Sequence, residues 1–317
     1  MDFKKVVIIG GGVLGSQIAY QSAYCGFDVT IWLRSEGSIT RTQPKIDRLH
    51  GTYAEALRIM NTPEGKSPAK WCNGLAAQDS FNYEDCIKAN EKAYSSLKLE
   101  LDLDKALDDA DLVIESLAED PKAKTDFYKL AAPKMPEKTV IVTNSSTLLP
   151  SMFAEATGRP AKYLSLHFAN NIWYGNTAEI MNHAGTDQKY YDQVVEFAKA
   201  INMVPLCLHK EQPGYILNTL LVPLLNSGLY LWATGVSDPE TIDKTWRLAL
   251  GNPMGPFQIL DMVGVTTAYN IAVMKPGHDD ISTPQGKICS KLKEMIDANK
   301  LGIATGEGFY KYGSSAK

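Results

Sequence analysis

Apolar runs and amphipathic stretches alternate along the first two thirds of the chain and predict strands and helices in turn. Residues 6–9 form a β-branched run without a polar break, as in a strand buried on both faces. Residues 16–24 have a helical pattern, Gly26 lies where a glycine commonly ends a helix, and residues 29–33 are a second apolar run. This strand–helix–strand order implies parallel strands.

Later segments continue the same alternation and extend the predicted sheet. Further strands are predicted at residues 112–114, 139–143 and 164–166, with helices at 122–132 and 190–200. The sequence therefore predicts an α/β protein with a Rossmann-type, doubly wound parallel sheet.

The alternation stops near residues 209–213, and long apolar helices without a convincing strand follow. Apolar side chains recur at helical spacing from Tyr215 onward, and Asp238 followed by Pro239 is typical of a helix start. The predicted organisation is a nucleotide-binding domain at 1–209 with a polar, partly helical insertion at 36–100, and an all-helical domain at 210–317.

Composition excludes several classes of protein and partner. Of the 317 residues, 44% are hydrophobic and 21% are charged, which is ordinary for a globular protein and excludes a disordered, collagen-like or coiled-coil chain. A formal net charge of −4 offers no basic field for nucleic acid or an anionic membrane. The five cysteines are odd in number and form no CxxC, so we expect no metal site and a reducing compartment.

The hydropathy pattern of the chain predicts neither a membrane protein nor a secreted one. The N-terminal residues lack the pattern of a signal peptide, and polar residues interrupt the most apolar stretch, at 215–232. A cytoplasmic location is therefore expected.

Glycines directly after the first predicted strand indicate a dinucleotide-binding turn. Gly10, Gly12 and Gly15 form a GxGxxG pattern, with Val13 and Leu14 between the last two glycines. The first glycine permits the tight turn, the second lets the backbone approach a pyrophosphate, and the third lets the helix pack on the strand. The phosphates would lie at a helix N-terminus, which favours anions. The predicted cofactor is NAD(P).

The end of the second predicted strand bears on which of the two cofactors binds. An acidic residue there normally holds the adenosine ribose hydroxyls, but Leu33 stands at this place and cannot accept those bonds. Arg34 and Ser35 are suited to a ribose 2′-phosphate instead. The pattern favours NADP over NAD, although Glu36 could still serve a ribose.

His167 is the candidate general acid/base. Oxidising a secondary alcohol with a nicotinamide requires a base for the hydroxyl proton, and the pKa of histidine lies near neutrality. His167 follows the predicted strand at 164–166, and open α/β sheets bind ligands beyond the carboxyl ends of their strands. Glu179 lies in a locally apolar stretch, where an acid needs a partner. A carboxylate on the second ring nitrogen would fix the tautomer. By pattern alone, a structural histidine remains an alternative.

Seven short motifs, taken in order, resemble those of the L-3-hydroxyacyl-CoA dehydrogenase family along nearly the whole chain. They are the glycine turn, DLVIE at 111–115, TNSS at 143–146, HFAN at 167–170, PGYILN at 213–218, NPMGP at 252–256 and GEGFY at 306–310. The family includes 3-hydroxybutyryl-CoA dehydrogenase, and its relatives include L-gulonate 3-dehydrogenase and carnitine dehydrogenase.

The resemblance implies roles for individual residues. His167 and Glu179 match the family's His–Glu pair, Ser146 matches its serine near the reacting oxygen, and Asn218 matches its asparagine at the start of the helical domain. Hydrogen-bond donors there would stabilise negative character on the substrate oxygen. The positions implied near the nicotinamide and its ribose are Glu119, Lys124 and Asn144; without the resemblance, Glu119 and Lys124 would be an exposed charge pair on a helix.

Two departures from the family pattern leave the substrate open. Where the family usually reads Phe-Phe-Asn-Pro after its histidine, Ala169 and Asn171 replace the second Phe and the Pro, and the polar loop that follows carries two aromatic residues. The insertion at 36–100 has nine basic and nine acidic residues, so it lacks a strong field for the phosphates of CoA. A local basic patch could still form from Arg41, Lys45 and Arg48.

Three functions remain under consideration from the sequence. The leading one is a dehydrogenase of short 3-hydroxyacyl-CoA substrates, and the second is a dehydrogenase of a free polar 3-hydroxy acid such as gulonate or carnitine. The third is a non-catalytic nucleotide-binding protein. The apolar residues at 220–232 exceed what one small helical domain needs for its own core, so a homodimer is also predicted.

Overall fold

The computed structural model describes residues 3–312, and the chain divides into two compact units, Met1–Ile216 and Leu217–Lys317. The predicted boundary at 209/210 lies earlier in the chain. The difference arises because Leu208 and Tyr215 are buried against Met181 of the first unit, so the connecting segment packs with the sheet. Each unit is described in turn.

The first unit contains one eight-stranded sheet with the order β3-β2-β1-β4-β5-β6-β7-β8. All neighbouring strands are parallel except β6 and β7, which are antiparallel. The central strands are continuous apolar runs because helices cover both of their faces. The strands are β1 Lys5–Ile9, β2 Asp28–Trp32, β3 Lys98–Glu100, β4 Leu112–Glu115, β5 Val140–Thr143, β6 Tyr163–Phe168, β7 Thr177–Met181 and β8 Val204–Cys207.

Helices lie on both faces of this sheet, so the predicted doubly wound fold is confirmed. Alternate residues of β1 point into two separate cores: Val6 and Ile8 pack with side chains of α1, α2 and α6, and Val7 and Ile9 with those of α4 and α5. The six helices are α1 Val13–Tyr24, α2 Glu36–Met60, α3 Tyr83–Ser96, α4 Leu103–Leu107, α5 Pro121–Ala131 and α6 Gln188–Ala200.

Three strands were not predicted, and the place of the histidine in its strand was wrong. His167 lies inside β6, one residue before its end, and does not follow the strand. Strands β3 and β8 are short and lie at the two edges of the sheet, where the apolar alternation is weak. Strand β7 contains a buried glutamate, which masks its strand character in the sequence.

The insertion at 36–100 is built from α2, an irregular segment and α3, and it is fastened to the sheet domain. Trp71 and Leu75 of the irregular segment are buried in the main core. The Gly74 carbonyl accepts a hydrogen bond from Gln21 Nε2 of α1 at 2.7 Å, and the Gly74 N–H donates to the Trp173 carbonyl at 3.0 Å. The insertion is therefore an integral layer of the first unit.

The described part of the second unit is built from helices, which confirms the predicted all-α C-terminal domain. As predicted, Asp238 caps a helix that begins with Pro239, and its carboxylate accepts from the Thr241 N–H at 2.8 Å. The buried Asp243 accepts from the N–H groups of Phe257 and Gln258 at the start of α9. The helices are α7 Tyr215–Ala233, α8 Pro239–Leu250, α9 Pro256–Val263, α10 Val265–Ala272 and α11 Pro284–Asp297.

Helix α7 is rich in apolar residues. Among the described residues it is the one helix whose length and composition would allow it to cross a membrane, a criterion that core helices of soluble proteins also meet. Only 22% of its most apolar stretch is buried in the structure. Helix α7 thus leaves apolar side chains exposed, including Leu217, Leu220 and Tyr230.

Candidate active site

The glycine turn between β1 and α1 has the geometry of a dinucleotide site. Gly10 has φ +103°, and a Cβ there would lie 2.9 Å from the Ser116 carbonyl oxygen; a Cβ on Gly15 would lie 2.2 Å from the Gly10 oxygen. Around Gly12, in contrast, a Cβ would meet no protein atom within 4 Å. Protein packing therefore does not require glycine at position 12. The close approach of a bound pyrophosphate to the protein backbone at this position would require it.

The N-terminus of α1 leaves room for phosphate at this turn. Gly12 caps the helix without any side-chain hydrogen bond, so the first N–H groups of α1 are available to an anion. Val13 is largely exposed and Leu14 half-buried at this end. From the other side, Thr42 Oγ1 and Lys45 Nζ both donate to the Gly11 carbonyl, at 3.2 and 3.0 Å. These bonds fix the position of the Gly11 carbonyl in the turn.

A cavity of about 500 Å³ adjoins the glycine turn at the carboxyl end of β2. Leu33 is buried, with a side chain that cannot accept a hydrogen bond from a ribose. The charged residues among the described residues that line the cavity are Arg34, Arg41, Lys45 and Asp126. A dinucleotide fits this donor set because three of these four groups are cationic and face the same space as the glycine backbone.

Helix α2 contributes more to this cavity than the sequence suggested. Arg41 Nη2 donates to Ser38 Oγ at 3.1 Å, and Ser38 Oγ lies 3.1 Å from Ser35 Oγ. Burial lowers the pKa of Lys45, and the charge of Arg41 lowers it further. Arg41 and Lys45 thus belong to the cavity at the glycine turn, whereas Arg48 is exposed elsewhere on α2. The suggested patch of these three residues for CoA stays a prediction.

His167 and Glu179 are directly opposite each other on the antiparallel strands β6 and β7. Side chains at such paired positions lie on the same face of the sheet. The His167 Nδ1 atom is 3.0 Å from Glu179 Oε2, and the two residues are only 4% and 3% exposed. Because Nδ1 makes this bond, Nε2 is the ring nitrogen at which the predicted proton exchange would take place.

Tyr215 completes the surroundings of the imidazole. Its ring stacks on that of His167 with centroids 4.4 Å apart and an interplanar angle of 13°. The next residue, Ile216, donates its N–H to Glu179 Oε1 at 2.9 Å. Burial raises the pKa of the Tyr215 phenol, which is consequently a neutral donor, and it donates to the Ser145 carbonyl at 2.9 Å.

The turn after β5 lies beside this pair. Asn144 is buried and accepts from the Phe168 N–H at 3.1 Å, so its side chain ties β5 to β6. Glu119 accepts from Ser145 Oγ at 2.7 Å and from the Ser146 N–H. Glu119 therefore shapes the turn that carries Ser146, and the contacts of Glu119 and Asn144 with a cofactor stay predictions.

Lys124 is not the exposed helical charge that one reading of the sequence suggested. It is fully buried, and its Nζ donates to Glu115 Oε1 at 2.7 Å. The other oxygen of Glu115 accepts from Tyr128 OH at 2.9 Å and Thr143 Oγ1 at 2.8 Å. The structure thus places the Lys124 ammonium in a buried network at the end of β4, and its contact with a nicotinamide ribose stays a prediction.

The two aromatic residues of the loop after β6 point into the insertion. The Trp173 ring packs against that of Tyr53 on α2, with centroids 5.8 Å apart, and Tyr174 OH donates to the Ala69 carbonyl at 3.1 Å. In the structure these two side chains fasten the loop to the insertion.

Asn218 lies in the first turn of α7 and is half-buried. It belongs to the second unit, whereas Ser146, His167 and Glu179 belong to the first. Its proposed contact with the substrate oxygen stays a prediction.

Comparison with known families decides the relationship. Residues 5–212 match the model of the 3-hydroxyacyl-CoA dehydrogenase NAD-binding domain, and residues 214–312 match that of the 3-hydroxyacyl-CoA dehydrogenase C-terminal domain. The chain belongs to the 3-hydroxyacyl-CoA dehydrogenase family. Like other members of this family, it is an NAD(P)-dependent oxidoreductase acting on CH–OH groups.

Individual relatives cover nearly the full length of the chain. Human mitochondrial hydroxyacyl-coenzyme A dehydrogenase is 32% identical over 98% of this chain and 91% of its own length. The 3-hydroxybutyryl-CoA dehydrogenase of Clostridioides difficile is 30% identical over 97% and 99%. A solved structure described as "Substrate-directed dual catalysis of dicarbonyl compounds by diketoreductase" is 43% identical over 98% and 100%, with a TM-score of 0.84.

Two features of this family member were missed by reasoning from the sequence. Arg41 lies seven positions beyond Arg34, and only the helical rotation of α2 brings it to the same cavity. Tyr215 was assigned only to the apolar pattern of its helix, and no local signal placed it on His167. The PGYILN motif was the one feature that drew attention to this segment.

Proposed function

We propose that this dehydrogenase interconverts the hydroxyl and the ketone at C3 of a short 3-hydroxyacyl substrate, with His167 as general acid/base. The buried His167–Glu179 pair, joined at 3.0 Å across β6 and β7, carries this proposal. In the oxidation, Nε2 of His167 takes the hydroxyl proton, and Glu179 stabilises the imidazolium and fixes its orientation. A nicotinamide cofactor, when bound at the glycine turn, would supply or accept the hydride.

Two further residues are proposed to orient the substrate oxygen. Ser146 and Asn218 are proposed as hydrogen-bond donors to that oxygen, which gains negative character as hydride arrives. Because the His–Glu pair is almost completely buried, its electrostatic interactions act in a medium of low polarity.

The test of this mechanism is a pair of matched histidine variants. His167→Ala is expected to lower kcat by about 10²- to 10⁴-fold, the usual contribution of a general acid/base, while the Kd of the cofactor changes little. Glu179→Gln is expected to lower kcat as well. The control is His50→Ala, because His50 also pairs with a glutamate, Glu91, at 2.9 Å but on the insertion. Full activity of His167→Ala would refute the mechanism.

For the cofactor, we propose a preference for NADP over NAD. It is supported by the buried Leu33 and by Arg34 and Arg41, which line the cavity. Ser35 is adjacent, with its hydroxyl 3.1 Å from that of the lining residue Ser38. A charge-assisted bond to a 2′-phosphate contributes about 1.5–3 kcal/mol, so Arg34→Ala should raise the Kd of NADPH by about 10- to 100-fold and leave that of NADH unchanged. Arg48→Ala, on α2 but outside the cavity, is the control. Equal weakening of both cofactors would contradict the preference.

For the substrate, the leading candidate is a short 3-hydroxyacyl-CoA, in keeping with the names of the curated relatives. A free dicarbonyl or polar 3-hydroxy acid is the second candidate. It is favoured by the 43% identity with the diketoreductase and by the balanced charge of the insertion. Assays of NADH and NADPH with acetoacetyl-CoA and with free 3-oxo acids distinguish the two, because a CoA enzyme should show the higher kcat/KM on the thioester.

We also propose that the protein is a homodimer through its second unit. This unit exposes large apolar side chains at Leu220, Tyr230, Val236, Leu248, Leu250, Met262 and Met274. Burial of such a surface stabilises association by about 25 cal/mol per Å² of apolar area. Light scattering of the purified protein should give twice the mass of the chain, and Leu248→Glu should lower the measured mass. A monomeric wild type would contradict the proposal.

We also propose a cytoplasmic location. The five cysteines are free thiols, which supports this proposal.

A further inference from the structure

The segment after β8 returns to the sheet and places one aromatic ring directly on the proposed acid/base. Tyr215 is 1% exposed, and its ring is nearly parallel to the imidazole of His167 at a centroid distance of 4.4 Å. An offset or parallel contact at this distance covers one face of the imidazole. Tyr215 therefore limits the positions that the imidazole plane can take.

The bond to Glu179 restrains that plane through one atom, Nδ1. Because a hydrogen bond tolerates a range of angles and the χ2 torsion of histidine is broad, the ring can still tilt about this bond. A ring stacked on one face removes this freedom. The electron-rich face of a phenol also interacts favourably with an imidazolium, the form that His167 takes after accepting the substrate proton.

The hydroxyl of Tyr215 connects the imidazole to a second part of the site. It donates to the Ser145 carbonyl at 2.9 Å, and the same turn is held by Glu119 through Ser145 Oγ and the Ser146 N–H. One side chain thus contacts both His167 and the turn that carries Ser146. Through this link Tyr215 helps to set the distance between His167, the proposed acid/base, and Ser146, the proposed hydrogen-bond donor.

The backbone conformation at Tyr215 also positions a group that contacts the His167–Glu179 pair. Tyr215 has φ +53°, a left-handed conformation that is unfavourable for residues with a Cβ, and its N–H closes a turn onto the Gln212 carbonyl at 3.1 Å. This turn directs the next N–H, that of Ile216, to Glu179 Oε1. Strained conformations of this kind persist where the surrounding contacts over-determine them, and they are common at functional sites.

We propose that Tyr215 is a positioning residue for proton transfer, whose ring sets the plane of the His167 imidazole and whose hydroxyl sets the place of the Ser145–Ser146 turn. The proposal rests on the proposed role of His167 as general acid/base. Tyr215 itself exchanges no proton with the substrate.

The experiment separates the ring from the hydroxyl. Tyr215→Leu removes the stacked ring and is expected to lower kcat by about 10²-fold, the loss associated with a displacement of about 1 Å in a reacting group. Tyr215→Phe keeps the ring and should recover most of this loss, with a kcat about fivefold below wild type. The KM of the substrate and the Kd of the cofactor should change less than twofold in both variants.

Normalising kcat to the number of cofactor-binding sites, measured by fluorescence titration, separates positioning from a merely structural role. Loss of structure would reduce the number of sites but not the turnover of each one. Tyr24→Phe is the matched control, since the buried Tyr24 hydroxyl also donates to a backbone carbonyl, that of Leu75, at 3.1 Å. Its turnover per site should equal that of the wild type.

Wild-type turnover per site in Tyr215→Leu would overturn the proposal. If this variant does not fold, Tyr215→Phe decides: an unchanged kcat would overturn the role of the hydroxyl, and a fivefold loss at constant KM would support it. Failure of the proposed function is a different result, namely an active His167→Ala variant.

Discussion

The buried ion pair between Lys124 and Glu115 offers a sharp test because two interpretations of Lys124 predict different outcomes. If its ammonium contacts a cofactor, Lys124→Met should weaken cofactor binding and leave the fold intact. If Lys124 instead serves to neutralise the buried Glu115, the same variant should destabilise the first unit. Methionine is a suitable replacement because it is unbranched, of similar length and uncharged.

The magnitude follows from the contacts of the pair. Both side chains are fully buried, and removing one member of such a pair leaves an uncompensated charge at a cost of about 3–5 kcal/mol. The Glu115 carboxylate keeps three other donors, the Leu117 N–H, Tyr128 OH and Thr143 Oγ1. The loss should therefore lie near the lower end, about 3 kcal/mol. With a urea dependence of about 2 kcal/mol per M, the unfolding midpoint should fall by about 1.5 M.

The assay is urea unfolding, followed by circular dichroism, beside titration with NADH and NADPH. The control is Lys122→Met, since Lys122 forms a largely exposed pair with Asp126 on the same helix, and its midpoint should stay near that of the wild type. The double variant Glu115→Gln/Lys124→Met should recover part of the lost stability, because no buried charge is left unpaired. An unchanged urea midpoint together with a tenfold higher cofactor Kd would refute the structural role.

Two further predictions concern the glycine turn and the start of the sheet. Gly15→Ala should abolish cofactor binding and lower the melting temperature, because its Cβ would lie 2.2 Å from the Gly10 carbonyl oxygen. In Gly12→Ala the new Cβ would meet no protein atom within 4 Å, so this variant should weaken cofactor binding without loss of stability. Burial raises the pKa of Asp111, but bonds from Lys138 and from the N–H groups of Lys5 and Lys4 lower it by more, so it lies below its usual value. Asp111→Asn should thus lower the free energy of unfolding at pH 7. The difference in this free energy from wild type should fade as the pH falls below about 4, because the wild-type carboxylate is then protonated. Asp109→Asn, at an exposed partner of Lys138, is the control and should have a smaller effect.

The features that the sequence predicted correctly depend on contacts between near neighbours in the chain. The β1–α1–β2 unit with its glycines was predicted because each signal lies within a few residues: a β-branched run, a glycine at a tight turn and a helix that ends before Gly26. The cap of α8 at Asp238 is of the same kind. Local geometry of this sort follows from residue type alone.

Edge and hairpin strands were missed because their signals are not local. Strand β3 has three residues and β8 only four, and both depend on the edge of the sheet for their pairing. Strand β7 pairs antiparallel with β6 after a loop that the insertion holds in place. The sequence placed Glu179 near an apolar stretch, but only this pairing brings it opposite His167.

Residue types and short-range periodicity thus determined that the chain is a doubly wound dinucleotide-binding protein with a helical second unit, and they selected a histidine and a glutamate for its chemistry. The tertiary structure alone decided that Lys124 is buried, that Arg41 joins Arg34 at one cavity and that Tyr215 covers the imidazole. Each of these facts depends on groups far apart in the chain, and the free energy that brings such groups together comes from packing of the whole core, which no short window of sequence contains.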